Sequence, residues 1–289
     1  MASIQLEKIA FPLLRKTPRL RRYAAQPGLV LAWLVLLTVV LWALFPGLFT
    51  HASPIEGVPG AQRLAPGGGY LLGTDQLGRD LYTRIVYGST HSLSGAVIAV
   101  SLGLVFGSLL GLLAGAAGAA GGRLDTLVMR TVDVLLAIPG LLLALSVIIL
   151  LGFGNLNAAI AVGVTSVANF TRLVRAEVLR VRRSDYVEAA FGSGGTFWGV
   201  LWRHILPNSL TSVLAFAALQ FGSAILAIAT LSFLGYGAPP PTPEWGLLIA
   251  EGRNYLATAW WLTTFPGLLV VAVVLATNRI SQSIRRPTR

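Results

Sequence analysis

The chain has 289 residues, of which 55% are hydrophobic and only 11% are charged, and it carries a formal net charge of +11. Soluble domains usually carry about 25% charged residues, so this composition excludes an ordinary soluble domain and indicates a membrane protein. The chain has no cysteine, which excludes a disulfide, a thiolate nucleophile and a zinc–thiolate site.

The charged residues are clustered, and five long stretches of the chain contain none. These stretches lie between Arg22 and Glu56, Arg84 and Arg123, Asp133 and Arg172, Arg203 and Glu244, and Arg253 and Arg279. A helix needs about 20 mostly apolar residues to cross the hydrocarbon core. The third stretch is long enough for two crossings, with a tight turn at Gly152–Asn157 between them. The sequence therefore predicts six transmembrane helices, at 28–46, 93–116, 131–151, 157–174, 210–233 and 260–279.

The basic residues predict the orientation, because Lys and Arg are retained on the cytosolic side of a membrane. If both termini lie in the cytosol, 18 of the 22 basic residues are on that side. The four on the outside are then Arg63, Arg79, Arg84 and Arg253. The positive charge thus reflects topology, and anionic membrane lipid is a sufficient partner for the basic segment 1–27. No nucleic-acid partner is expected, since the chain has no soluble basic domain.

The outer loop and the second and third predicted spans carry signals of local structure. The outer loop 47–92 is rich in Gly and Pro and is expected to be irregular, with one short helix near Leu77–Tyr87. In the third span, Pro139–Gly140 predicts a kink, and Asp133 is expected to pair with Arg130. The second span has glycines at four-residue spacing, which predicts a helix face that a neighbouring backbone approaches closely. These glycines are Gly103, Gly107, Gly111 and Gly115.

The fifth span holds polar side chains in apolar surroundings. Polar groups at membrane depth usually face other protein or a water-filled path. Gln220, Ser223 and Thr230 are therefore candidates for lining a transport pathway. Hydrogen bonding to neighbouring helices is the alternative role for these three residues.

The segment 176–209, between the fourth and fifth spans, carries the most informative pattern. Asp185 with Glu188 three residues later is typical of a capped helix start. Glu188 could serve that cap or bond to a partner protein. Gly194, followed by a second glycine, predicts that this helix ends in a left-handed conformation.

A second short helix is expected directly after the first. Thr196 is placed to cap its start, and Pro207 is expected to end it just before the fifth span. Its apolar residues recur at helical spacing and predict one buried face, formed by Trp198, Leu201, Trp202 and Ile205. The two helices would form a compact knob on the inner face that passes force into the adjacent spans.

The spacing E-A-A-x3-G-x9-H-x-L-P in this segment resembles the EAA loop of ABC importer permeases. Residues 72–80 and 231–253 also resemble the dipeptide, oligopeptide and nickel branch of that family, in particular its C-type permease subunit. The resemblance implies that the loop 184–207 is the coupling element, seated in a cleft of an ATPase subunit. The implied ATPase-coupling residues are Asp185, Glu188, Ala189, Ala190, Gly194, His204, Leu206 and Pro207.

The resemblance also implies a fold, a location and partners. The fold is all-α, a polytopic membrane protein of the type I ABC importer permease class, with a core at 93–280 and a cytosolic tail at 281–289. Its place is the bacterial inner membrane, beside a paralogous permease subunit, two cytosolic ABC ATPase subunits and a periplasmic substrate-binding protein. ATP and Mg would sit on the ATPases, and no catalytic residue, cofactor or metal site is expected in this chain. Di- or oligopeptides are the expected substrate, with nickel or a metal-chelator complex as the alternative.

The chain departs from the family pattern in two places. Phe191 and Gly192 replace residues that are usually more polar in the coupling helix. After the last span, Asn278–Gln282 replaces the usual ending that contains Gly-Asp-Gly.

Two other classes of protein fit the sequence less well. An intramembrane enzyme would need reactive groups converging at one depth, but the histidines are scattered and no H-E-x-x-H or G-x-S-x-G run is present. A stand-alone secondary transporter often shows two related halves and midplane charges, which this sequence lacks. The only lysines are Lys8 and Lys16, so the chain has no Gly-Lys-Ser/Thr phosphate loop and ATP hydrolysis would require a partner.

Overall fold

A computed structural model describes residues 26–118 and 122–285. The basic residues of segment 1–25, and residues 286–289 of the predicted tail, lie outside this range. Three short turns of other helical types lie at Pro46–Leu48, Leu201–Ile205 and Arg253–Tyr255. The α-helices are α1 (Pro27–Leu44), α2 (Leu81–Gly118), α3 (Arg123–Ala137), α4 (Gly140–Leu151), α5 (Asn155–Arg182), α6 (Asp185–Gly192), α7 (Phe197–Val200), α8 (Leu206–Phe233), α9 (Trp245–Gly252) and α10 (Trp261–Arg285).

Four helical segments in the described residues are long and apolar enough to cross a membrane. They are Pro27–Leu44, Leu81–Ala116, Phe197–Phe233 and Trp261–Ile284. The pair α3 and α4 qualifies only jointly, as a fifth span with a sharp bend. The predicted fourth span lies in α5, which is long enough at 28 residues but less apolar. Helix α5 packs against α2, α4 and α8, and of its polar side chains Ser166 and Thr171 are buried in these contacts.

The predicted kink at Pro139–Gly140 is confirmed, and it is a bend of 96° between α3 and α4. The 12 residues of α4 extend only about 18 Å, so α4 alone is too short to cross the hydrocarbon core. The bend also lays α3 beside the end of α5, where long arginine side chains reach it. Asp133 therefore pairs with Arg172 of α5, and the expected partner Arg130 was wrong.

The predicted close approach of helices along the glycines of α2 is confirmed, and the neighbour is α5. A Cβ atom at Gly111 would lie 2.7 Å from the Cβ of Val174 and 2.8 Å from the carbonyl oxygen of Thr171. Gly103 and Gly115 face α5 in the same way. The glycines thus let the two backbones pack closely and form the centre of the core.

The short helix expected near Leu77–Tyr87 is not separate. Helix α2 begins at Leu81 and runs without interruption for 38 residues, so it extends well outside the predicted span. Asp80 starts it, because its carboxylate accepts hydrogen bonds from the backbone N–H and the hydroxyl of Thr83. No proline follows before Gly118, so nothing ends the helix between the loop and the membrane.

Four charged side chains meet in the interior at the end of the molecule that the sequence predicts to face outwards. The Oδ2 atom of Asp75 lies 2.6 Å from both Arg79 Nε and Arg84 Nη1. The Oε2 atom of Glu251 lies 3.1 Å from Arg84 Nη1 and 3.3 Å from Arg79 Nη2. Arg79 is 1% exposed and Arg84 is 0% exposed. We call these four residues the outer ion cluster, and they join residues 49–80 and the start of α2 to α9.

Burial by itself disfavours the charged form of Asp75. The backbone N–H of Arg79 and the charges of Arg79 and Arg84 outweigh that effect and hold the pKa of Asp75 below its ordinary value. A carboxylate with a lowered pKa stabilises the fold above its ordinary pKa. That contribution is lost as the pH falls through the pKa of the folded state.

Helix α9 is held between α2 and α8 by the residues at its start. The Trp245 side chain is fully buried, and its Nε1 donates to the carbonyl of Ile85 over 3.1 Å. The Glu244 carboxylate accepts hydrogen bonds from Ser92 Oγ at 3.0 Å and from the backbone N–H of Leu247 at 2.9 Å. The block 231–253 noted in the sequence therefore serves to fix α9 against the outer part of α2.

A first prediction concerns the α2–α5 contact. Replacing Gly111 with Val should lower the free energy of unfolding by about 1–3 kcal/mol, because the added atoms would overlap Val174 and Thr171. Gly267→Val in α10 is the matched control, since nothing lies within 4 Å of a Cβ at that position. Thermal unfolding in detergent measures both, and equal midpoints for the two variants would contradict the packing argument.

A second prediction concerns the outer ion cluster. Asp75→Asn should destabilise the fold by about 3–5 kcal/mol, because it leaves buried arginine charge without its partner. The unfolding midpoint of the wild type should fall as the pH drops below about 4, the ordinary pKa of an aspartate. The variant should show a flatter response over that range. An identical pH dependence of the two midpoints would show that Asp75 does not carry this effect.

Candidate functional site

The predicted coupling segment 184–207, which we call the coupling knob, consists of α6, α7 and the turn that follows. The predicted cap at Asp185 was wrong by one residue, because Ser184 is the N-cap and Asp185 is the first residue of α6. The Ser184 hydroxyl donates to the carbonyl of Val181 at the end of α5, so it does not cap α6. Asp185 and Glu188 lie in the first turn, where negative charge favours the helix dipole.

Helix α6 is anchored on one side and open on the other. Val187 is fully buried in the main hydrophobic core. Asp185, Glu188 and Ala189 are exposed, and Ala190 is half-buried. Glu188 and Ala189 of the E-A-A residues are thus available to another molecule, whereas Ala190 packs against the core.

The end of α6 confirms the predicted left-handed conformation at Gly194. Its φ is +86°, and the N–H groups of Gly194 and Gly195 donate to the carbonyls of Phe191 and Ala190, both at 3.0 Å. This pair of bonds is the Schellman motif, which usually requires glycine at the left-handed position. Thr196 then caps the next helix as predicted, because its Oγ1 accepts from the backbone N–H of Gly199.

The structure also accounts for one departure from the family pattern. The guanidinium of Arg182 lies over the ring of Phe191, 5.8 Å from its centroid. A cation above an aromatic ring is attracted by the ring's electron density. Phe191 therefore links the knob to the end of α5, while Gly192 is exposed.

The prediction that Pro207 ends the second helix was wrong. Residues Phe197–Phe233 form one continuous helical segment, in which the π-turn Leu201–Ile205 joins α7 to α8. The backbone N–H of Leu206 donates to the carbonyl of Leu201, five residues earlier. Pro207 follows the π-turn, in the first turn of α8. The coupling knob is therefore joined to α8 without a break.

The predicted apolar face of this helix is only half buried. Leu201 and Ile205 are buried, whereas Trp198 and Trp202 are each 64% exposed. Val200, which the prediction omitted, is buried instead. Among the other predicted coupling residues, His204 and Leu206 are half-buried, and Pro207 is exposed.

A groove of ≈ 340 Å³ lies between α4, α5 and α8. Of the candidate pathway residues, Ser223 and Thr230 line it and Gln220 does not. Thr165 of α5 adds a third hydroxyl, which the sequence does not indicate because it comes from a different helix. The hydroxyls of Ser223 and Thr230 donate to carbonyls of their own helix, which leaves their oxygens as acceptors. The lining is Gly140, Leu141, Ala144, Val162, Thr165, Ser223, Leu226, Ala227, Thr230 and Leu231.

Solved structures of known transporters share this fold. An inward-facing structure of the methionine ABC transporter MetNI matches with a TM-score of 0.58 and 21% identity, covering 71% of this chain and 98% of that one. An amino acid ABC transporter structure matches with a TM-score of 0.56 and 15% identity, covering 70% of this chain and 92% of its own. These likenesses show that the fold is that of an ABC importer permease.

Curated relatives are closer in sequence. The dipeptide transport system permease protein DppC of Alkalihalophilus pseudofirmus is 39% identical over 256 residues, covering 89% of this chain and 83% of the relative. The di/tripeptide transport system permease protein DppC of Pseudomonas aeruginosa is 38% identical over 269 residues, covering 91% and 88%. The glutathione transport system permease protein GsiD of Pectobacterium atrosepticum is 40% identical over 220 residues, covering 76% and 72%.

The family profile described as "Binding-protein-dependent transport system inner membrane component" matches residues 103–288. That range contains the coupling knob, the groove and α9. Both the profile match and the curated relatives cover most of the chain. The chain therefore belongs to the family of binding-protein-dependent transport system inner membrane components.

Proposed function

We propose that this chain is one permease subunit of an ATP-driven importer of di- or oligopeptides in the bacterial inner membrane. The observation that carries the proposal is the coupling knob, in which the exposed helix α6 is followed, after the turn at Gly194, by a helical segment that runs from Phe197 through Pro207 into the membrane helix α8. The printed functions of the relatives support a peptide substrate. The distribution of Lys and Arg supports an orientation with both termini in the cytosol.

The coupling knob is suited to carry force from a cytosolic ATPase. Two ATPase subunits would bind ATP and Mg, and one of them would hold the exposed side of α6 at Asp185, Glu188 and Ala189. Because α7, the π-turn and α8 are continuous, a displacement of the knob moves α8 directly. The ATP-driven step then changes the arrangement of the helices around the groove. ATP can drive this change only by binding one arrangement better than the other.

The groove is suited to form part of the pathway, with a paralogous permease subunit supplying the opposite wall. Its lining combines apolar side chains with hydroxyls and carries no charged residue. Such a surface offers weak hydrogen bonds to a peptide backbone without trapping it. A soft-metal cargo would favour imidazole or thiolate ligands, and the residues lining this groove supply neither, so peptides are preferred over nickel. A periplasmic substrate-binding protein would deliver the substrate at the outer face.

A third prediction tests the knob. Gly194→Val should uncouple ATP hydrolysis from uptake, because a β-branched residue at φ +86° costs about 1–2 kcal/mol and distorts the turn between α6 and α7. Membrane insertion should be unchanged. Uptake per ATP hydrolysed in proteoliposomes containing the whole importer is the measurement.

The control for Gly194→Val is Gly192→Val in the same turn. Gly192 has ordinary backbone angles, and nothing lies within 4 Å of a Cβ there. The control should stay close to wild type in uptake per ATP. Wild-type coupling in the Gly194 variant would end the proposal that the knob transmits force.

A fourth prediction tests the pathway. Because the chain has no cysteine, Ser223→Cys and Thr230→Cys each introduce a single thiol. Both thiols should react with a membrane-impermeant, charged thiosulfonate reagent, since a transport pathway admits water. Val271→Cys on the exposed side of α10 is the control that should stay unreactive. If the groove thiols react no faster than this control, the groove is not part of an aqueous pathway.

A further inference from the structure

The outer ion cluster calls for an explanation beyond stability. Arg79, Arg84 and Asp75 are almost completely buried. Replacing buried ion pairs by apolar residues of similar volume is often neutral or stabilising, so such a cluster is weak evidence of a purely structural role. Its charges come from two parts of the chain that are far apart, since Arg79 and Glu251 are separated by 172 positions.

The cluster fixes the outer segment, residues 49–80, to α9 in one arrangement. Arg84 Nη1 bridges the carboxylates of Asp75 and Glu251, so neither carboxylate can move without the other. Two further contacts support this junction. Trp261 Nε1 at the start of α10 donates to the carbonyl of Thr74 over 3.2 Å, and the Arg63 guanidinium lies 5.4 Å from the ring centroid of Tyr255.

Helix α9 in turn touches α8 without intervening side chains. A Cβ atom at Gly246 would lie 2.5 Å from the Cα of Ala229. The two backbones are therefore in direct contact, and α9 cannot shift towards α8 without displacing it. Ala229 is next to Thr230, which lines the groove. A continuous set of contacts thus runs from the outer segment to the groove.

The outer segment lies between the apolar helical segments Pro27–Leu44 and Leu81–Ala116 and exposes apolar side chains of its own. Its exposed large apolar side chains are Phe49, Ile55, Val58, Leu64, Leu71 and Leu77. The segment lies before residue 103, where the family profile begins. The methionine transporter permease uses 98% of its length to match 71% of this chain, so part of this chain has no counterpart there. An ordered, apolar, outward-facing addition is suited to bind a soluble protein.

We propose that the outer ion cluster is a mechanical relay. The soluble substrate-binding protein docks on the apolar side chains of the outer segment, the cluster carries the displacement to α9, and Gly246 passes it to α8 at Ala229. The Glu251 carboxylate is the positioning group of this relay, since it alone links α9 to both arginines. The inference rests on the proposed function, because it requires a binding protein and an ATPase.

The test uses the complete importer with its ATPases, paralogous permease and binding protein. Glu251→Gln removes the charge and keeps the shape of the side chain. The ATPase rate without binding protein should stay at the wild-type value. The stimulation by peptide-loaded binding protein should fall by about fivefold or more, the size of a typical coupling between sites. Glu56→Gln changes an exposed carboxylate of the same segment and should retain full stimulation.

The outcomes separate the relay from a merely structural role. Equal stimulation in Glu251→Gln and Glu56→Gln overturns the relay. A parallel loss of basal and stimulated rates also overturns it, because that result shows only a damaged fold. If Glu251→Gln does not assemble, Gly246→Ala tests the other end of the relay with the cluster intact. It should lose stimulation at an unchanged basal rate, and normal stimulation there overturns the relay. A wild-type complex without any stimulated ATPase activity would instead contradict the proposed function.

Discussion

The close contact between α2 and α5 determines where everything else in this molecule lies. Within a membrane, helices gain little from the hydrophobic effect on associating, so close van der Waals packing must hold them together. The glycines of α2 make that packing possible. With α5 fixed at the centre, its C-terminal half pairs with α3 through Arg172 and Arg175. Val178 and Val181 of α5 belong to the same core as Val187 of the coupling knob. The positions of the groove and the knob both follow from this one contact.

Features that depend on neighbouring residues along the chain could be predicted from the sequence. The bend at Pro139–Gly140, the left-handed Gly194 and the cap at Thr196 each follow from local backbone chemistry. Features set by distant contacts could not. Asp133 pairs with Arg172 because the bend brings α3 to α5, and the polar character of α5 makes sense only once its neighbours are known. The prediction that Pro207 ends a helix was wrong because the π-turn before it is not visible in the hydrophobic pattern.

In the candidate site, too, local features could be predicted from the sequence and features set by distant contacts could not. The spacing of the E-A-A residues was enough to locate the knob, but not to show that it continues into α8. Ser223 and Thr230 could be selected because they are polar residues in one apolar span, whereas Thr165 comes from another helix and needed coordinates. The outer ion cluster escaped prediction for the same reason. Asp75, Arg79 and Glu251 lie in two blocks already noted for their resemblance to a family, but nothing in the sequence indicates that Glu251 returns to Arg79 and Arg84.

The π-turn also bears on how a membrane helix accommodates a proline within a continuous helical segment. A proline has no N–H to donate, so a helix that contains one lacks a backbone hydrogen bond, and the hydrocarbon core supplies no water to replace it. Here the amide of Asn208 donates to the carbonyl of His204 over 2.6 Å, and the hydroxyl of Ser209 donates to that of Ile205 over 2.9 Å. These two short polar side chains supply additional hydrogen bonds to carbonyls of the π-turn that precedes Pro207. Asn208 and Ser209 therefore take part in the main-chain hydrogen bonding where α7 joins α8. Exchanging them for apolar residues would weaken this helical junction itself and not only change its surface.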